Sequence, residues 1–104
     1  MKIVGVSACP TGIAHTYMAQ EAIEKEGKKR GHDVKIETQG SMGVENELDQ
    51  AEIDAADIVI FAVSIDIEEK ERFDEKVAAD KVITIDPGEA IKSTKDLFDR
   101  IESL

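Results

Sequence analysis

Cys9, Thr11, His15 and Thr16 fall within the stretch CPTGIAHT (9–16), and Cys9 is the chain's single cysteine. A thiol becomes a nucleophile when a helix N-terminus or a nearby cation lowers its pKa. Gly12 permits backbone conformations closed to other residues, so successive N–H groups can turn inward as an anion nest. Thr11 and Thr16 add hydroxyl donors, and the first-turn N–H groups of a following helix have no partners of their own. Such a concavity binds phosphate and favours a thiolate at its rim, because both preferences come from the same positive end. A thiolate beside a phosphate cradle suits a cysteine that takes the phosphoryl group itself. The opposing reading is an inert, buried thiol at a strand end.

Rival loop chemistries can be compared residue by residue. A phosphate loop of the GxxxxGK[ST] kind needs a lysine, and none lies between Cys9 and Glu24. Thiol–disulfide exchange through CxxC needs a second cysteine where Gly12 stands. A cysteine-dependent phosphatase needs an arginine to hold phosphate in a fork. Here His15 occupies the place where a small phosphatase loop would carry it, and Asp66 is the one candidate general acid. That alternative is weakened and stays open, as does a non-catalytic phosphate-binding module. Two separated histidines and one cysteine are too few for a zinc site, so no metal is expected.

The elements that position this loop follow from patterning. KIVGVS (2–7) reads as a strand and residues 14–30 as a helix, with Ala14, Met18 and Ala22 on its apolar face beside Tyr17 and Ile23. Lys28, Lys29 and Arg30 followed by Gly31 form a helix stop. DVKIETQ (33–39) alternates as a strand with one wet face, which suggests a sheet edge, and GSMG (40–43) reads as a loop. Residues 46–57 suggest a short helix capped by Asn46, and IVIFAV (58–63) a strand covered on both faces. Residues 66–80 read as a charged helix or loop anchored by Phe73 and Val77, and KVITI (81–85) as a fourth strand. Asp86–Pro87 then opens a final helix reaching Ile101, with Ile91, Leu97 and Phe98 facing the core.

This alternation predicts an α/β fold: a three-layer arrangement with a four-stranded parallel sheet in the order 2-1-3-4 and helices on both faces. Strand 1 then sits at the topological switch point, where such sheets bind ligands, and the cysteine loop follows it. The 104 residues read as one domain, 1–104. The formal charge of −10 disfavours nucleic acid and anionic lipid as partners. The acidic runs NELDQAEID and DIEEKERFDEK read as solvated faces, and His32 as a surface residue. No apolar run approaches the ~18 residues of a membrane helix, and a lone cysteine fits a reducing compartment.

The stretch VSACPTGIAHTYMAQEAIEKEGKKRGHDVKIETQGSMGVENEL resembles the fructose-type enzyme IIB domain of the bacterial phosphoenolpyruvate:sugar phosphotransferase system. CPTGIAHTYMA and ETQGS carry the resemblance, which continues more loosely through AADIVIFAV and RF (72–73). The resemblance implies that Cys9 accepts a phosphoryl group from a phosphohistidine on the partner IIA protein and passes it to a sugar held by the membrane transporter IIC. It implies a flavodoxin-like sheet, in agreement with the patterning. The expected cradle comprises Pro10, Thr11, Gly12, Ile13, Ala14, His15 and Thr16, supported by Gln39, Gly40 and Ser41 at the end of the second strand. No cofactor is expected, the phosphoryl group originating from phosphoenolpyruvate. The expected location is cytoplasmic, at the inner membrane face through IIC, with no insertion of this chain. The resemblance further implies an acidic residue after the third strand in many relatives, at the position of Ser64 here, and hence a different charge near the site in this chain.

Overall fold

The computed structural model describes residues 1–8, 13–40 and 43–103. The chain runs β1 (Lys2–Ala8), α1 (Ile13–Lys29), β2 (Asp33–Gly40), β3 (Gly43–Glu45), α2 (Gln50–Ala55) and β4 (Ile58–Val63). A 3-10 turn (Lys70–Phe73), α3 (Asp74–Ala78), β5 (Val82–Ile85), α4 (Pro87–Lys92) and α5 (Thr94–Glu102) complete it. The strands are ordered β3-β2-β1-β4-β5. β2, β1, β4 and β5 are parallel, in the predicted order, while β3 pairs antiparallel with β2.

Side chains alternate across the strands, so the two faces of the sheet carry separate cores. Ile3, Ile36, Ile58, Ile60 and Ile83 join α1, α4 and α5 through Ala19, Ile23, Ala90, Leu97, Phe98 and Ile101. Val4, Val6, Val59 and Phe61 meet Leu48, Ile53, Ala56 and Phe73 on the other face. Burying each large side chain contributes about 1.5–3 kcal/mol. Helices therefore cover both faces, as parallel strands with right-handed crossovers require.

Several expectations are corrected. The sheet has five strands, because Gly40 pairs with Gly43 and turns 43–45 back along β2 as a hairpin too short to announce itself in the pattern. β2 is consequently not the edge, and its supposed wet face is buried: Glu37 is 0 % exposed and Gln39 is 8 % exposed. Arg72, out of a run expected to be solvated, covers that face. On α1 the buried positions are Thr16, Ala19, Ile23 and Gly27, whereas Ala14 and Met18 are exposed. Gly27 sets this rotation: a Cβ there would lie 2.3 Å from Val34 Cγ2, so the helix approaches β2 through its glycine.

Asp49, not Asn46, caps α2, in a reciprocal capping box with Glu52. Asn46 instead takes a positive φ of 53° in the turn before it. The final helix is broken at Ser93 into α4 and α5, and the Thr94 hydroxyl donates to the carbonyls of Ala90 and Ile91 across the break. Phe73 anchors its segment in the core, while Val77 is exposed. His32 is half-buried, stacked on Phe98 and hydrogen-bonded to Glu102.

Candidate active site

β1 is the central strand, with β2 on one side and β4 on the other. Its last residue, Ala8, is in register with Gln39 of β2 and Val63 of β4, and its carbonyl accepts the Ser64 N–H at 3.2 Å. The crossover after β1 leads to β2 on one side, whereas the connection after β4 leads to β5 on the other, and this divergence opens a crevice at this end of the sheet. Four residues of sequence, 9–12, join Ala8 to the start of α1 at Ile13. Cys9, Pro10, Thr11 and Gly12 lie outside the described residues, as does Ser41. Ile13 and Ala14 open α1, and Ala14 and His15 face solvent. Thr16 is 1 % exposed, and its carbonyl accepts a hydrogen bond of 2.8 Å from the buried Ser7 hydroxyl. That bond ties the first turn of α1 to β1, fixing the angle at which the helix N-terminus meets the crevice. Its N–H groups supply partial positive charge there.

Ser7 is in register with Thr38 of β2. Thr38 is 1 % exposed, and its hydroxyl has no hydrogen-bond partner among the described residues. Polar side chains thus replace the isoleucines of this face as β1 and β2 approach the crevice. Tyr17, one turn into α1, donates its hydroxyl to Glu45 of β3, bridging the helix to the hairpin. His15 and Met18 line a groove of about 380 Å³ with Asp86, Glu89 and Ile91 of the α4 region.

The opposite face of β2 carries a network that sequence patterning did not assemble. Glu37 accepts from Arg72 Nη1 and Nη2, both at 2.9 Å, from the Leu48 N–H at 2.8 Å and from Gln39 Nε2 at 2.6 Å. Burial alone would push the Glu37 carboxyl up, but the Arg72 fork, the Leu48 N–H and the Gln39 amide together hold it below the usual carboxylate range. Arg72 also donates to the carbonyls of Leu48 and Glu69. Gln39 exchanges two hydrogen bonds with the backbone of Glu68, donating to its carbonyl at 3.2 Å and accepting its N–H at 2.7 Å. Gln39 is thus engaged beside the end of β1, while Gly40 closes β2 and is exposed. Glu37 and Arg72 were missed as members of the site's support. The available signal was a glutamate inside a strand and an arginine preceding a core phenylalanine.

Among the described residues no cluster of three histidine, cysteine or carboxylate side chains could hold a metal. No helix among them is long and apolar enough to cross a membrane.

A family model described as "PTS system, Lactose/Cellobiose specific IIB subunit" matches residues 4–100. The "PTS system fructose-like EIIB component 2" of Escherichia coli K12 is 42% identical over 102 residues, covering 98% of this chain and 92% of that protein. A longer "Fructose-like PTS system EIIBC component" of the same organism is 43% identical over 101 residues, which make up 20% of its length. Among solved structures, a domain of the fructose-specific IIABC component of Borrelia burgdorferi superposes with a TM-score of 0.87 at 44% identity, covering 96% of this chain and 91% of that one. The enzyme IIB subunit from Escherichia coli K12 gives 0.88 at 39% identity, covering 97% and 90%. Matched along nearly its whole length in sequence and in fold, the chain belongs to the IIB family of the phosphotransferase system.

Proposed function

We propose that Cys9 carries a phosphoryl group between a IIA phosphohistidine and a sugar bound by the IIC transporter, with fructose or a close relative as the sugar. The observation that supports this reading most is the junction between β1 and α1 in a IIB-family chain. The only cysteine follows the central strand, and Ser7 holds the helix N-terminus to that strand through Thr16.

In the first step the Cys9 thiolate attacks phosphorus, an S–P bond forms and the N–P bond of the phosphohistidine breaks, leaving the imidazole to the donor. In the second, a sugar hydroxyl oxygen attacks the same phosphorus, the S–P bond breaks and the hydroxyl proton passes to a base or solvent. The thiolate is regenerated. Backbone N–H groups of residues 10–16, with the Thr11 and Thr16 hydroxyls, are proposed to hold the transferring oxygens. The phosphoryl group derives from phosphoenolpyruvate, and no cofactor is invoked.

The step places the protein at the cytoplasmic mouth of IIC, a placement supported by the fusion of similar sequences to IIC in the EIIBC relatives. His15 in place of a phosphatase arginine suits a relay, since a charged fork would retain the phosphoryl group. The test is sugar phosphorylation by vesicles bearing a fructose-type IIC, supplied with phosphoenolpyruvate, enzyme I, the histidine phosphocarrier and IIA. Sugar phosphate that forms only when this protein is added supports the reading. Release of free phosphate without sugar phosphate contradicts it.

A further inference from the structure

We propose that the lysine-lined groove between α1 and the α4–α5 break docks on the anionic surface of a membrane, held by charge and without insertion. The charge distribution carries this, and the choice of a membrane rests on the relay reading above, which sets the chain beside IIC.

The chain is strongly acidic, with 13 basic residues against 23 acidic ones, yet four lysines gather on one face. Lys25 and Lys29 of α1, with Lys92 and Lys95 on either side of Ser93, line a groove of about 540 Å³. All four are exposed, and none forms an ion pair among the described residues. Two carboxylates share the groove. Glu26 is held by Arg30 at 2.7 Å, which leaves Asp96 alone to oppose the lysines there. The N-terminus of α5 opens into the same groove with no side-chain cap from Ser93, adding partial positive charge.

Net charge and a local patch act over different ranges. Charges are screened over about 8 Å at physiological ionic strength. The molecule is 19 Å across its shortest axis, so its far acidic faces are screened from a surface that touches these lysines. The side-chain type points to the occupant. Lysine ammonium groups are hydrated point charges that suit a diffuse field of headgroup phosphates, whereas a defined acidic peptide is better matched by guanidinium forks. The nearby Arg30 is already engaged by Glu26, Asp99 and Glu102. Lys25 lies roughly 18 Å along α1 from Ile13, so docking here leaves the cysteine loop clear for transfer.

The experiment sediments the full chain with vesicles that contain no IIC. They are made of phosphatidylcholine alone or with about one third phosphatidylglycerol. Wild type is compared with Lys25→Gln/Lys29→Gln and with Lys92→Gln/Lys95→Gln. A control, Lys70→Gln/Lys81→Gln, changes the total charge equally on exposed lysines outside the groove. Glutamine keeps the helix propensity of lysine, so the groove variants fold.

The expected result is binding to the anionic vesicles only, lost as salt rises from about 0.05 to about 0.5 M. Each groove variant should partition about 25-fold less, at about fivefold per lysine, while the control matches wild type. No binding of wild type to anionic vesicles at low salt would overturn the proposal. Equal losses in the control, or capture by soluble polyglutamate in preference to vesicles, would overturn it as well. Phosphorylation by IIA in solution should be unchanged in the groove variants. Its failure in wild type would overturn the relay, and the vesicle result would still decide the docking face.

Discussion

Arg72 grips Glu37 with two parallel hydrogen bonds of 2.9 Å across 35 residues of sequence, joining the turn before α3 to the middle of β2. Glu37 is fully buried, and the Arg72 side chain is 12% exposed. Burying such a pair costs desolvation that only complete hydrogen bonding offsets. Every lobe of the Glu37 carboxylate has a donor here, from Arg72, Leu48 or Gln39.

Breaking the pair from one side should therefore cost more than removing it. Arg72→Met or Glu37→Leu alone is expected to lower the unfolding free energy by about 3–5 kcal/mol, each leaving a buried charge behind. The double replacement should lose far less than the sum. Urea denaturation of the four proteins checks this, and additive losses would mean that the pair is not coupled.

The same pair sets an acid limit. The folded Glu37 carboxyl is held below its usual range, so its stabilisation is present above the unfolded value of about 4.3 and is lost as pH falls through the folded value. Unfolding free energy measured from pH 7 downward should decline in acid. The double variant Glu37→Leu/Arg72→Met should decline less steeply, by about one proton. Identical slopes would assign the acid sensitivity to other carboxylates.

Thr38, beside Ser7, holds a buried hydroxyl without a partner among the described residues. Thr38→Val keeps the shape and removes that cost, so it should stabilise the fold by about 1 kcal/mol. Thermal unfolding reads the gain. A loss of stability instead would mean that the hydroxyl is satisfied in solution.

Two glycines should rank in a definite order. A Cβ on Gly5 would lie 2.4 Å from the Ile60 carbonyl of β4, whereas one on Gly27 would meet the Val34 side chain at 2.3 Å. Gly5→Ala should cost about 1–3 kcal/mol, since a carbonyl held in the sheet cannot rotate away. Gly27→Ala should cost less, because Val34 can shift and a helical alanine recovers about 1 kcal/mol. The reverse order in chemical denaturation would show that α1 cannot adjust on β2.

The parallel order of four strands was legible because apolar β-branched runs alternate with helical patterns, and IVIFAV could only be covered on both faces. Capping was half legible. Asp86–Pro87 marked α4, but Asp49 was passed over for Asn46 because both precede the same apolar run. The helix face was misjudged since Ala14, Met18 and Ala22 are spaced as well as Thr16, Ala19 and Ile23, and only the close approach at Gly27 decides between them. Glu37 defeated patterning outright. Alternation reads a glutamate as solvent-facing, and its burial depends on an arginine far along the chain. Of the site, the order of strand, cysteine, glycine turn and helix was readable locally, while the bonds of Gln39 to Glu68 exist only through tertiary contact.

The central claim is that Cys9 carries the phosphoryl group, and intact mass tests it most directly. The protein and its Cys9→Ser variant are incubated with phosphoenolpyruvate, enzyme I, the histidine phosphocarrier and a fructose-type IIA. The account predicts that wild type gains the mass of one phosphoryl group, which is absent from the variant and lost when the IIC-bound sugar is supplied. An equal gain in Cys9→Ser, or no gain in wild type beside a IIA that is itself phosphorylated and active, would contradict it.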